Sequence, residues 1–184
     1  MSLEDNAQIS KVDSMAKILG LSRIGWILSD LLVEDGTNGT VKNIRNEKTH
    51  LLSAEETITA ASFQLQHPNP CRMSDGHYGS KFVTVVCSGD EDNQVSFKGY
   101  QVTNQCMDLV SSRVIVPTVD AAGLAYCRES DDNIMVPEVY YGKKDEYNNE
   151  VKTIGRPMPV EYLLTDMTVA GTKEEGFSWT DKEQ

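Results

Sequence analysis

Arg23-Ile24-Gly25-Trp26-Ile27-Leu28-Ser29-Asp30-Leu31, followed after a polar connection by Leu51-Leu52-Ser53-Ala54-Glu55-Glu56-Thr57-Ile58-Thr59-Ala60-Ala61, is the stretch on which the fold turns. The first part is rich in Ile and Trp and predicts a strand over 23–29. In the second, Ser53 stands three residues before Glu56. That is the spacing of a capping box, in which Ser caps a helix and Glu reaches back to the cap backbone. A helix is expected over about 54–66, with Ile58, Ala61 and Leu65 on its apolar face. His67-Pro68-Asn69-Pro70 ends it, because proline excludes helical geometry from the residue before it.

Outward from this pair, helices and strands alternate. Val12, Met15, Ala16 and Leu19 fall at helical spacing, with Ser10 and Asp13 offering a cap and Gly20 a stop. Glu34 to Gly39 reads as a polar turn before a weak strand at 40–45. Phe82, Val83, Val85 and Val86 mark a strand over 81–88, and Val95, Phe97 and Tyr100 a second over 94–102, joined as a hairpin across 89–93. Thr103 caps a helix to about Val110, and a short strand covers 114–116. Residues 120–132 read as loop. Residues 135–141 and 150–154 are expected to pair across a turn, and a last strand covers Val160 to Leu164. Such interspersion predicts an α/β domain, a mixed sheet flanked by helices.

Bulk composition narrows the function classes. The 184 residues suit one domain, and the 39% hydrophobic share allows a core. Lys+Arg 17 against Asp+Glu 28 gives a net charge of -11, which repels phosphate backbones and argues against nucleic acid. The cysteines Cys71, Cys87, Cys106 and Cys127 are widely spaced without a CxxC, a pattern of reduced thiols and not of a zinc ribbon. No apolar run approaches the roughly 20 residues needed to span a bilayer, so membrane insertion is not expected. A secretory signal is not expected, since the first residues show no charged n-region followed by an apolar h-region.

The opening segment resembles the MPN (JAMM) strand that reads Gly-Trp-x-His-x-His-Pro, and Ser53 to Glu56 resembles the Ser-x-x-Asp step after it. Leu28 then takes the place of the first His, Asp30 the second, Leu31 the Pro, and Glu56 the Asp. A catalytic zinc needs three protein ligands and an open position for water. Leu28 has no lone pair to give. Asp30 and Glu56 suit a hard cation better than zinc. The resemblance therefore implies a degenerate site at Leu28, Asp30, Ser53 and Glu56, with no metal, no other cofactor and no catalytic residue. A metal-dependent isopeptidase with altered ligands is the alternative.

Other chemistry is sparser. His67, Cys71 and His77 match no common zinc spacing. Cys71 and Cys106 are conceivable nucleophiles, but free cysteines more often pack as small hydrophobes. Gly76 to Lys81 carries two glycines before a strand, without the strand-then-helix context of a phosphate loop. Phe97 and Tyr100, three apart, point to opposite faces of a regular strand, one to core and one to solvent. Tyr78, Lys81, Phe97, Tyr100, Gln101, Asn104 and Gln105 are the candidate contacts for an extended peptide.

Three longer blocks, HPNPCRMSDGHYGSKFVTVV (67–86), DNQVSFKGYQVTNQCMDLV (92–110) and GRPMPVEYLLTD (155–166), resemble the nuclear protein localisation protein four family. The resemblance runs from about Leu19 to Thr168. It implies a catalytically inactive MPN domain that binds ubiquitin or ubiquitin chains. The implied partners are the valosin-containing-protein AAA ATPase and the ubiquitin-fusion-degradation partner subunit. The implied task is delivery of ubiquitylated clients for proteasomal degradation, including endoplasmic-reticulum-associated degradation. The implied location is cytoplasm and nucleus, peripheral at the endoplasmic reticulum and nuclear envelope. On this basis 1–22 is the N-terminal helix, 23–169 the inactive core and 170–184 a polar tail. The first MPN strands, the zinc-finger region, the ubiquitin-like domain and the C-terminal domain are expected to lie outside these residues.

Overall fold

The computed structural model describes residues 7–69, 79–118, 121–133, 135, 140–144, 146–154 and 156–167. In chain order the elements are α1 (Ala7–Ile18), β1 (Gly25–Ser29), β2 (Val33–Asp35), β3 (Thr40–Val41), α2 (Ala54–Gln66), β4 (Val83–Gly89) and β5 (Val95–Val102). They continue with α3 (Asn104–Ser111), β6 (Ile115–Pro117), β7 (Leu124–Cys127), β8 (Tyr140–Lys144), β9 (Glu150–Ile154) and β10 (Pro157–Pro159). A 3-10 turn (Val160–Leu163) and β11 (Leu164–Met167) follow. The class is mixed α/β.

The central sheet has the order β1-β4-β5-β11, with β1 parallel to β4 and the remaining pairs antiparallel. The strands that sequence reading would place in one sheet are divided: β10-β7-β6 form a second sheet, and β2-β3 and β8-β9 are separate ribbons. Trp26, Thr84 and Tyr100 share one face by register, and the Trp26 indole N–H donates to the Thr84 hydroxyl at 2.8 Å. Helix α2 packs on that face, with Phe63 edge-on to Trp26 at 5.2 Å between centroids. Gly25 is required by close approach: a Cβ there would lie 2.4 Å from the Val83 carbonyl oxygen.

Small residues let α2 sit close. Its Ala54, Ala60 and Ala61 pack with Cys106 and Met107 of α3, Val102, Ile115, Ala125, Val160 and Leu163, while Ile58 and Leu65 flank this core. Thr57 and Gln64 are the buried polar residues of α2, and Gln64 carries the longer-range bonds. Its amide accepts from the Val102 N–H at 2.7 Å and donates to the Val102 carbonyl at 3.1 Å. One side chain thereby satisfies both backbone groups of the last residue of β5, as burial demands. A second cluster, Leu52, Val86 and Tyr100, is flanked by Leu28, Leu51 and Leu164.

Several expectations are corrected. Residues 160–164 do not form a strand: Val160 and Leu163, three apart and both fully buried, fit a 3-10 turn, whose residues i and i+3 eclipse. The strand begins at Leu164. Residues 124–127 are strand, not loop, because they pair on both sides with β6 and β10. The expected strand at 40–45 shortens to Thr40–Val41 and pairs with β2, whose last two residues, Glu34 and Asp35, lie in the stretch read as turn. Of the expected 135–141 strand, 140 and 141 pair with β9 and 136–139 lie outside the described residues, while β8 continues through 142–144 into the stretch expected as turn.

Helix α1 starts at Ala7, which places Ser10 and Asp13 inside it and not at a cap. It ends where Gly20 adopts φ 71°, with Leu21 N–H bonded to the Ala16 carbonyl and Gly20 N–H to that of Lys17, a Schellman stop. Val12, Met15 and Leu19 are exposed. An Asp13–Arg23 ion pair ties the helix to the approach of β1. Among the described residues no helix is long and apolar enough to cross a membrane.

Candidate functional site: a filled carboxylate pair beside an open cleft

Asp30 follows β1 directly and is fixed there by its N–H bond to the Cys87 carbonyl. Glu56 stands in the first turn of α2, where the capping box is complete: Glu56 N–H donates to Ser53 Oγ and Ser53 N–H to Glu56 Oε2. These two carboxylates converge on a third residue that the sequence did not single out, Arg45. Its guanidinium is forked onto Glu56 at 2.8 and 2.8 Å, and its Nε donates to Asp30 Oδ2 at 2.6 Å. A further N–H reaches the Leu51 carbonyl at 3.3 Å. Leu28 is half-buried and packs against the Leu52–Val86–Tyr100 cluster.

Arg45 is only 7% exposed, and burial without partners would be costly for it. Its hydrogen bonds to Glu56 outweigh the burial, and with those to Asp30 they hold its pKa above the ordinary arginine value. Burial pushes the Glu56 carboxyl up. The Arg45 guanidinium and the Ser53 N–H more than offset this, so its pKa lies below the usual carboxylate value. The arrangement is an ion triad, with one guanidinium held bidentately by Glu56 and singly by Asp30. Among the described residues no three His, Cys, Asp or Glu side chains converge as a metal site.

Next to this triad opens a cleft of about 730 Å³. Asn43, Asn46, Glu47, Lys48 and Leu51 line it from one side. Phe97 to Tyr100, Asp166 and Met167 line it from β5 and β11, with Glu91 from the hairpin loop. The wall from 43 to 51 is a compact turn. Thr49 Oγ1 donates to the Ile44 carbonyl at 2.8 Å, Lys48 N–H to Asn46 Oδ1 at 3.0 Å, and Thr49 N–H to the Asn46 carbonyl at 3.1 Å. Tyr100 is 4% exposed yet borders the cleft. Burial and the Asp166 carboxylate raise its phenol pKa, and the Arg45 charge opposes them.

The candidate contacts are dispersed. Phe97 is 64% exposed and Tyr100 buried, on opposite faces of β5 as their spacing predicts, and both border the cleft. Gln101 is half-buried, and its amide donates to the Ser80 and Phe82 carbonyls at 3.0 and 3.1 Å, which anchors the entry to β4. Lys81 is exposed before β4, and Asn104 and Gln105 are exposed in the first turn of α3; none of the three lines the cleft. Tyr78 lies outside the described residues, as do Cys71 and His77. His67 stacks on Phe82 at 4.4 Å with Nδ1 2.8 Å from the Phe63 carbonyl. Burial pushes the Cys106 thiol up to about 12, far from a nucleophile's range.

Sequence reasoning missed Arg45, Asp166, Met167 and the 43–48 wall. The one available signal for Arg45 was chemical: two carboxylates in neighbouring scaffold positions call for a cation, and Arg45 lies in the connection between them.

The NPL4 family matches residues 1–184. The chain belongs to the NPL4 family. Nuclear protein localization protein 4 homolog of Homo sapiens is 47% identical over 181 residues, which cover 98% of this chain and 30% of that protein. The Drosophila melanogaster homolog is 47% identical over 171 residues, covering 92% of the chain and 26% of that protein. Nuclear protein localization protein 4 of Vanderwaltozyma polyspora is 36% identical over 197 residues, covering 100% of the chain and 34% of that protein. The chain thus spans about a third or less of the length of these relatives. Their names tie the family to nuclear protein localization.

Proposed function

We propose that this chain is an inactive MPN-type core that binds ubiquitin, in its extended form, as part of an adaptor for an AAA unfoldase. The observation that carries the proposal is the Arg45 guanidinium seated between Asp30 and Glu56. In the MPN reading proposed here, these are two of the three metal-ligand positions, and the third is Leu28. A cation already fills the carboxylate pair, while an open cleft lies alongside. Among the described residues β11 is the last strand of the central sheet, an edge position of the kind to which an extended chain can add. The cleft pairs apolar Leu51, Phe97 and Met167 with charged Glu47, Lys48, Glu91, Lys98 and Asp166, which suits a polypeptide of mixed composition.

The family supports the wider assignment: adaptor to the valosin-containing-protein ATPase, alongside the ubiquitin-fusion-degradation subunit, in cytoplasm and nucleus and at the endoplasmic reticulum surface, feeding clients to proteasomal degradation. Both whole-protein partners are proposals for a chain of this extent. The non-enzymatic part is tested by measuring zinc content and the cleavage of ubiquitin chains with and without chelator. No stoichiometric zinc and no cleavage are expected. Chelator-sensitive turnover would instead support the isopeptidase alternative.

A further inference from the structure

We propose that Arg45 is a positioning residue for the cleft: it holds the 43–51 wall in place through Asp30 and Glu56 without touching what the cleft binds. Taking the cleft as the binding site rests on the function proposed above. The wall's internal hydrogen bonds, through Asn46 and Thr49, shape it as a turn but do not tie it to the rest of the fold. Leu51 anchors the far end by packing against the Leu52–Val86–Tyr100 cluster, and Arg45 supplies the polar tie near the other end. It sits inside the turn segment, points inward, and is held by β1's end, by α2's first turn and by the Leu51 carbonyl at the far end of the same wall.

The bond to Leu51 matters because it closes the wall on itself. Residues 45 and 51 are clamped to each other and, together, to Glu56. Asn43, Asn46, Glu47, Lys48 and Leu51 all line the cleft, whereas Arg45, Asp30 and Glu56 do not. A fixed wall lowers the ordering cost that binding would otherwise carry. Release of the latch should therefore weaken binding without removing any contact residue.

The test compares the 184-residue protein with Arg45→Met, Arg45→Lys and the double variant Arg45→Met/Glu56→Gln. The double variant keeps a capping-box residue at position 56 and neutralises the more buried of the two carboxylates that Arg45→Met leaves without a cation, Asp30 being the more exposed, so it guards against unfolding of the single variant. Two readouts are taken: amide hydrogen exchange, and binding of a ubiquitin variant destabilised so that it is unfolded. Exchange at the Lys48 and Thr49 amides is expected to rise about tenfold or more in Arg45→Met and in the double variant, with Val86 and Val102 unchanged. Affinity for unfolded ubiquitin is expected to fall about tenfold. Arg45→Lys keeps the charge but not the fork, and should restore part of both. Unchanged exchange in both Met variants would overturn the proposal. So would a loosened wall with undiminished binding. If wild-type protein ignores unfolded ubiquitin, the function proposed above fails, and the exchange readout alone decides for or against the latch.

Discussion

Replacing Glu56 by Ala should be among the most damaging single changes in the chain, because one carboxylate performs two tasks. It completes the α2 capping box through the Ser53 N–H, and it accepts the forked guanidinium of Arg45. Losing a capping interaction typically costs about 1 kcal/mol. Stripping one partner from a buried pair costs roughly 3–5 kcal/mol, since the other charge stays buried. The two losses share the same oxygens and do not add. Asp30 still holds Arg45 through Nε, which argues for the low end, about 3 kcal/mol. For a domain near this size that is a drop of roughly 6–12 °C in melting temperature. Urea denaturation of wild type, Glu56→Ala, Arg45→Met and the pair gives a double-mutant cycle, with a coupling of at least about 1 kcal/mol expected. A Glu56→Ala loss below about 1 kcal/mol, or a coupling near zero, would refute the reasoning.

Further outcomes follow from the same geometry. The folded-state pKa of Glu56 is depressed below its ordinary value of 4.5, so its stabilisation is complete above that pH and is lost as pH falls through the folded value; acid unfolding should be less steep in Glu56→Gln. Gln64→Leu leaves the Val102 N–H and carbonyl without their partner and should cost about 2–5 kcal/mol, read by chemical denaturation. Gly25→Ala forces a Cβ against the Val83 carbonyl and should lower the melting temperature by several degrees, roughly 1–3 kcal/mol. Phe97→Ser, at an exposed position, should leave stability within about 0.5 kcal/mol and yet weaken binding of unfolded ubiquitin.

The parts of the fold legible in the sequence were those written in local chemistry. Ser53 and Glu56 announced the α2 cap, Thr103 announced α3, and the β-branched run at 82–86 with its polar turn announced the β4–β5 hairpin. What was not legible depends on distant partners. Leu124 to Cys127 is short and carries no alternation that sets it apart, and it becomes a strand because β6 and β10 lie on either side. Val160 to Leu164 has strand composition, but the buried spacing of 160 and 163 bends it into a turn. Gln64 reads as a polar helix residue until Val102 is beside it.

The candidate site divides in the same way. Asp30, Ser53 and Glu56 were visible as a pattern, because the resemblance fixed their spacing. Arg45 was not, because the 20-odd residues between the two carboxylates carry no periodicity that says which one turns inward. The cleft shares Phe97 and Tyr100 with the expected contact set, but its other members come from 43–51 and 166–167, remote from the hairpin in sequence. Gln101 was read as a contact from its amide chemistry, and that amide is occupied by the Ser80 and Phe82 carbonyls.

The most direct measurement is an NMR titration of this protein with folded ubiquitin and, separately, with a ubiquitin variant that is unfolded in buffer. Shifts with the unfolded variant are expected at Asn46, Lys48, Phe97, Lys98 and Asp166, the residues that border the cleft. Absence of shifts with either form, or shifts confined to surfaces away from the cleft, would contradict the proposed ubiquitin-binding role of this site.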